Sequence, residues 1–262
     1  MARKIVITSG KGGVGKTTIC ARLGMKLASL GFRVAILDMD IGLNNLDVVM
    51  RLEQNIDFDI LDVILGNCRL KQALVQDKKY PSLYILASTH SSEDAYITKE
   101  QIQGVASKLA ETFDYILFDC PAGVDEGFKR AVYCASEAVV VVTPHISSVR
   151  DADKVLSILS GYNLLGKYLI VNRVRGDFEA TMETLSVEEI VRFLKTKLLG
   201  VVPEDDTITK GDECGENNSY ELDRAITLLA ENIHNGTKKI YDVAKKYRGF
   251  WGFIRRNIKK KV

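Results

Sequence analysis

The sequence predicts an α/β fold with a mostly parallel sheet and helices on both faces. Seven short apolar runs recur along the chain, helical patterns of ten or more residues separate most of them, and a glycine-rich loop joins the first run to the first helix. The first run, KIVIT (4–8), leads through SGKGGVGK into TTICARLGMKLASL, which predicts a helix over 17–30. RVAILD (33–38) and SLYILA (82–87) follow as strands. A helix is predicted over 99–112, a strand at DYILFD (114–119), a helix over 124–135, a strand at EAVVVVT (137–143) and a helix over 149–159. YLIVN (168–172) and LLGVV (198–202) complete the strands. None of these runs alternates apolar with polar residues, so each is expected to be buried on both faces. Residues 204–220 are polar and read as a surface loop with a short helix, and ELDRAITLLAENIH (221–234) and KKIYDVAKKY (238–247) read as closing helices. With four prolines and no low-complexity linker, the chain is expected to form one domain over 1–243 and a separate tail over 244–262.

Composition narrows the function classes. The chain has 262 residues, 46% hydrophobic and 27% charged, enough for a sizeable core. Its formal net charge of +2 conceals an uneven distribution: the tail carries +8 and no acid, which leaves −6 for the body. An acidic body argues against a specific nucleic-acid partner. Cys20, Cys68, Cys120, Cys134 and Cys214 show no C-x-x-C spacing and read as reduced, buried thiols, which suits the cytoplasm. The apolar run after Arg3 and Lys4 is broken at Gly10 and Lys11, too short for a signal peptide, and no run is long enough to span a membrane.

Gly10, Gly15, Lys16 and Thr17 satisfy the spacing G-x-x-x-x-G-K-[ST] in its required strand, loop, helix context. Backbone N–H groups along Gly10, Lys11, Gly12, Gly13, Val14, Gly15, Lys16 and Thr17 are expected to wrap nucleotide phosphates, helped by the positive end of the following helix. Lys16 is expected on the β and γ phosphates and the Thr17 hydroxyl on Mg²⁺. Thr18 reads either as an α-phosphate contact or as an ordinary helix-start residue. Two apolar strands end in acids, Asp38 with Asp40 beyond it, and Asp119. A carboxylate at such a strand end is costly without a cation, so Asp119 reads as a metal residue, and Asp40 is placed to orient the attacking water. Lys11 has no duty in this scheme.

The second lysine in KGGVGKT resembles the deviant Walker A loop of the MinD/ParA class of P-loop ATPases, and DMDIGLNNLD (38–47), DCPAG (119–123), SSVRDADK (147–154) and VNRVR (171–175) resemble its septum site-determining members. The resemblance runs from residue 3 to the tail. It implies ATP and Mg²⁺ as ligands, with Lys11, Lys16 and Asp40 catalytic and Lys11 crossing a two-fold interface in an ATP-bound homodimer. It further implies that Asp38 and Asp119 organise Mg²⁺, that Asn172 recognises adenine, and that the segment around Pro203 lines the base pocket. Asp151 matches a dimer and partner position, although an acid near a helix N-terminus explains it equally. Partners implied are a MinC-like division inhibitor and a MinE-like activator or topological factor. Asn44, His145, Asp125 and the 210–220 loop depart from the usual pattern, which bears on partner recognition and base contacts. Rivals of the same fold are a flagellar-number ATPase, a ParA-like DNA-partitioning ATPase and an iron–sulfur carrier, the last needing Cys120 and Cys134 as shared ligands.

In the tail, Tyr247, Phe250, Trp251, Ile254 and Ile258 recur at steps of three or four, Phe253 widens the stripe, and eight cations flank it. Gly249 and Gly252 weaken such a helix in water. An interfacial helix on anionic lipid uses both the aromatics and the cations, whereas nucleic acid would ignore the stripe and a partner groove the charge. Loop and tail together predict a cytoplasmic protein that becomes peripheral on the inner face of the cell membrane when ATP pairs two weak tails.

Overall fold

The computed structural model describes residues 2–40, 46–89, 97–181, 184–205 and 219–248. Phe250, Trp251, Phe253, Ile254 and Ile258 of the expected lipid face lie outside these, as do Asn44 and residues 206–218.

Eight strands form one sheet: β1 (Arg3–Thr8), β2 (Val34–Asp38), β3 (Leu74–Gln76), β4 (Leu83–Leu86), β5 (Tyr115–Asp119), β6 (Glu137–Val142), β7 (Gly166–Val174) and β8 (Lys197–Pro203). Their order is β3-β4-β2-β5-β1-β6-β7-β8, parallel throughout except for the short β3, which pairs antiparallel with β4. The seven predicted strands are all present, and β3 is the addition. Three residues carry too little pattern to be read from sequence. Side chains alternate between two cores: Val6, Leu37 and Phe118 face one, Ile5, Ile7, Ile36 and Leu117 the other.

The second core is covered by α1 (Lys16–Ser29), α2 (Leu46–Met50) and α10 (Tyr220–Asn235). The first is covered by α3 (Ile60–Leu65), α5 (Lys99–Leu109), α6 (Glu126–Cys134), α7 (Ile146–Leu159) and α9 (Val187–Leu194). Two short helices, α4 (Leu70–Ala73) and α8 (Gly176–Thr181), lie beside β3 and after β7. β1 stands between β5 and β6, so successive connections leave on opposite sides of it. This is the switch point where an open parallel sheet forms its ligand crevice, at the carboxyl ends of the strands.

The second closing helix does not form. After α10 ends at Gly236 (φ 65°), the chain runs as a strap with only a 3-10 turn at Lys245–Tyr247. Asn232 causes this. Its buried amide nitrogen donates to the carbonyls of Leu199 (2.7 Å) and Lys239 (2.8 Å), while its oxygen accepts from the Lys239 N–H (3.0 Å) and the Thr237 hydroxyl (2.6 Å). Both backbone groups of Lys239 are consumed by one side chain, so they are lost to any helix. Tyr247 also departs from expectation: instead of joining a lipid-facing stripe it is 5% exposed, packed with Val243 and Ala244 into the body. The body therefore extends past residue 243.

Asn232→Ala should lower unfolding free energy by about 3 kcal/mol, since four hydrogen bonds go and buried backbone groups lose their partner. Urea titration checks this, with exposed Lys238→Ala costing less than about 0.5 kcal/mol.

Candidate nucleotide site

The loop between β1 and α1 is shaped by close backbone contacts. Gly15 caps α1 at φ 91°, and a Cβ there would stand 2.6 Å from the Asn172 amide nitrogen. That nitrogen donates to the Val14 carbonyl at 2.8 Å, so β7 grips the loop from below. At the other end, a Cβ on Gly10 would lie 2.3 Å from the Asp151 carbonyl oxygen, so α7 is packed directly on the loop backbone. Ser9 steadies the bend by donating its hydroxyl to the Lys11 carbonyl (2.7 Å). The N-cap of α1 supplies no side-chain hydrogen bond and its first turn no acid, which leaves the helix N–H groups to an anion.

Lys16 is buried beside this N-terminus, with Asp119 across from it. The β2–β5 register sets Asp38 directly opposite Asp119. Burial, Asp119 itself and Asp40 push the Asp38 carboxyl up to about 8, against the backbone N–H groups it accepts. Burial likewise raises Asp119 to about 7, while the Thr17 hydroxyl and Lys16 hold it down. One Asp119 oxygen, Oδ1, is fully buried without a hydrogen-bond partner. A magnesium site fits here: an orphaned carboxylate oxygen in a region of excess negative charge, next to the hydroxyl of Thr17.

Asp38 is differently employed. Its Oδ1 accepts the Asp40 N–H (2.9 Å) and its Oδ2 the Leu46 N–H (3.3 Å), so it ties the end of β2 to the start of α2. Among the described residues no group of three or more His, Cys, Asp or Glu converges as a metal cage. Asp38, of which a metal role was expected, thus also anchors the backbone at Asp40 and Leu46. Asp40 is half-buried just beyond.

Lys11 is exposed, and its Nζ lies 3.0 Å from Ser147 Oγ at the start of α7. Because α7 begins at Ile146 and not at 149, Asp151 falls outside the first turn and the helix-dipole explanation for it lapses. Its backbone is the seat for Gly10, and its carboxylate lies 3.5 Å from Lys154. Thr18 is half-buried within α1. Pro203 ends β8 opposite Val174, two residues along β7 from Asn172. His145 and Asp125 precede α7 and α6 without capping them through their side chains.

Sequence reasoning missed Ser147, Arg173 and Arg175. Arg173 takes φ 56° where β7 slips register against β8, a strained conformation for arginine. With Lys11, Gly12, His145, Arg175 and Glu204 it lines a pocket of about 300 Å³ on the outer side of the loop. The sequence signal for Ser147, Arg173 and Arg175 was membership of the motifs SSVRDADK and VNRVR, which carried the resemblance but gave these three residues no role. Cys120 and Cys134 are buried, and burial pushes both thiols up to about 12, which disfavours the thiolates a cluster requires.

Sheet order, loop and acids together define a P-loop nucleotide-binding protein. Residues 5–218 match the CbiA family, the CobQ/CobB/MinD/ParA nucleotide binding domain. The septum site-determining protein MinD of Bacillus subtilis is 44% identical over 235 residues, 89% of this chain and 88% of that protein. A chain of the MinC:MinD cell division protein complex of Aquifex aeolicus superposes with a TM-score of 0.83 at 38% identity, over 90% of this chain and 97% of that one. MinD complexed with Mg-ADP from Pyrococcus horikoshii gives 0.78 at 30% identity, over 89% and 96%. The chain belongs to the MinD family of septum site-determining ATPases, a class whose ligands are adenine nucleotide and Mg²⁺.

Gly15→Ala should weaken ATP binding by at least about tenfold, because left-handed strain alone is worth about 1–3 kcal/mol and the new methyl displaces Asn172. Calorimetric titration with nucleotide checks it, and unchanged thermal stability of the apoprotein would separate loop strain from misfolding.

Proposed function

We propose that this ATPase is a nucleotide-switched recruiter: ATP joins two copies, their paired tails hold anionic lipid at the inner face of the cell membrane, and the dimer brings a MinC-type division inhibitor there. Hydrolysis, stimulated by a MinE-type activator or topological factor, returns it to the cytoplasm. The observation that carries the reading is the contrast between the two loop lysines. Lys16 is buried at the helix N-terminus beside Asp119, whereas Lys11 is exposed at the loop's outer edge beside α7. An ammonium on that edge can reach the phosphates of a second copy and supply transition-state charge as an arginine finger does. Among the described residues no helix is long and apolar enough to cross a membrane, so membrane contact falls to the tail.

In the chemistry, the backbone of residues 10–17 wraps the phosphates and Lys16 binds the β and γ oxygens. Thr17 and Asp119 would hold Mg²⁺, which when bound neutralises phosphate charge. Asp40 orients the water, and Asp38 holds Asp40 by accepting its N–H. With one Asn172 N–H committed to Val14, its carbonyl oxygen is the group that accepts from the adenine amino group. Pro203 bounds the base side, and Asp151 ties the α7 partner surface to Gly10.

Lys11→Ala should abolish ATP-dependent dimerisation in sedimentation velocity while ATP binding stays within about threefold of wild type, a change of less than about 1 kcal/mol. Dimerisation and stimulated turnover that both survive would refute the crossing lysine.

A further inference from the structure

The strap is seated on a residue without a side chain. Gly176 opens α8 directly after β7, and a Cβ there would lie 2.1 Å from the Val243 carbonyl oxygen and 3.0 Å from Cδ2 of Tyr247. Its backbone lies outside the left-handed region, so this glycine answers to contact and not to conformation. Val243 and Ala244 are buried on the same stretch, and Arg248 Nη1 pairs with Asp242 Oδ2 at 3.0 Å after the 3-10 turn. The seat stands at the carboxyl end of β7, the end that carries Asn172 and the phosphate loop. The last described stretch of the chain is therefore seated at the nucleotide end of the sheet, on a buried aromatic.

We infer that the Gly176–Val243–Tyr247 seat sets how strongly ATP-driven pairing is converted into lipid affinity, an inference that rests on the recruiter reading and deepens it. Seated, the chain has only Arg248 and Gly249 between the body and the aromatic-basic segment that starts at Phe250. Unseated, the tether reaches back to Ile240, just past the Lys239 held by Asn232. The free run then grows from about two residues to about ten, and effective concentration falls as roughly the −3/2 power of length, on the order of tenfold. Only the paired state uses effective concentration. A single tail binds equally from either tether.

The test is sedimentation of the full chain with vesicles of phosphatidylglycerol and phosphatidylcholine, using a non-hydrolysed ATP analogue with Mg²⁺ against ADP. Tyr247→Ala and Gly176→Ala should each lower affinity in the ATP-analogue state about tenfold, with ADP-state affinity, analogue-dependent dimerisation and basal turnover unchanged. Tyr247→Phe, which keeps the ring on Gly176, should behave as wild type. Two variants guard against a shift of β7 in Gly176→Ala, because Tyr247→Ala leaves that backbone untouched. Unchanged affinity in the analogue state would overturn the inference, and so would an equal loss in both states, which would make Tyr247 a lipid contact. A wild-type chain that binds vesicles equally in both states would remove the recruiter reading itself, before any variant is compared.

Discussion

Burying two carboxylates side by side at the ends of adjacent central strands is unfavourable, and the organisation of this end of the molecule follows from how that charge is managed. Asp38 is handled by the backbone, with its two oxygens accepting the N–H groups of Asp40 and Leu46. Asp119 is handled only in part, by the Thr17 hydroxyl and the nearby Lys16 ammonium, and one of its oxygens has no protein partner. A polar atom left in that condition costs on the order of a few kcal/mol unless something supplies the missing interaction. A divalent cation would supply that interaction to Asp119 Oδ1.

The loop that receives them is held by backbone contacts. Asn172 draws Val14 down toward β7, and α7 lies directly on Gly10. Each contact would be lost to a single methyl group. The same β7 that grips the loop then breaks register at Arg173 and leads into α8 at Gly176, on which the C-terminal strap sits. Phosphate loop, β7 and strap are consecutive packing neighbours, and the lysine that faces outward, Lys11, stands at the same end of the sheet.

Most of the fold was legible because its strands are apolar runs buried on both faces, a pattern that survives without tertiary context. The phosphate loop was legible because its chemistry demands those residues at that spacing. What escaped depended on contacts distant in sequence. Residues 238–247 have the periodicity of a helix, yet Asn232 satisfies the backbone of Lys239 and the strap results. Tyr247 matches the apolar stripe of the tail by spacing, and only the absent side chain at Gly176 shows why it turns inward. Asp38 and Asp119 look alike in sequence, and their surroundings differ only once the N–H groups of Asp40 and Leu46 are seen on the first and an unpartnered oxygen on the second.

The most direct measurement is calorimetric titration of a non-hydrolysed ATP analogue into wild type and Asp119→Asn, each with Mg²⁺ and with chelator. If the orphaned Asp119 oxygen is what makes metal and nucleotide bind together, Mg²⁺ should tighten binding to wild type by at least about tenfold and leave Asp119→Asn nearly unaffected. Equal tightening in both proteins would show that the cation is held without Asp119, and the buried carboxylate would no longer explain the site.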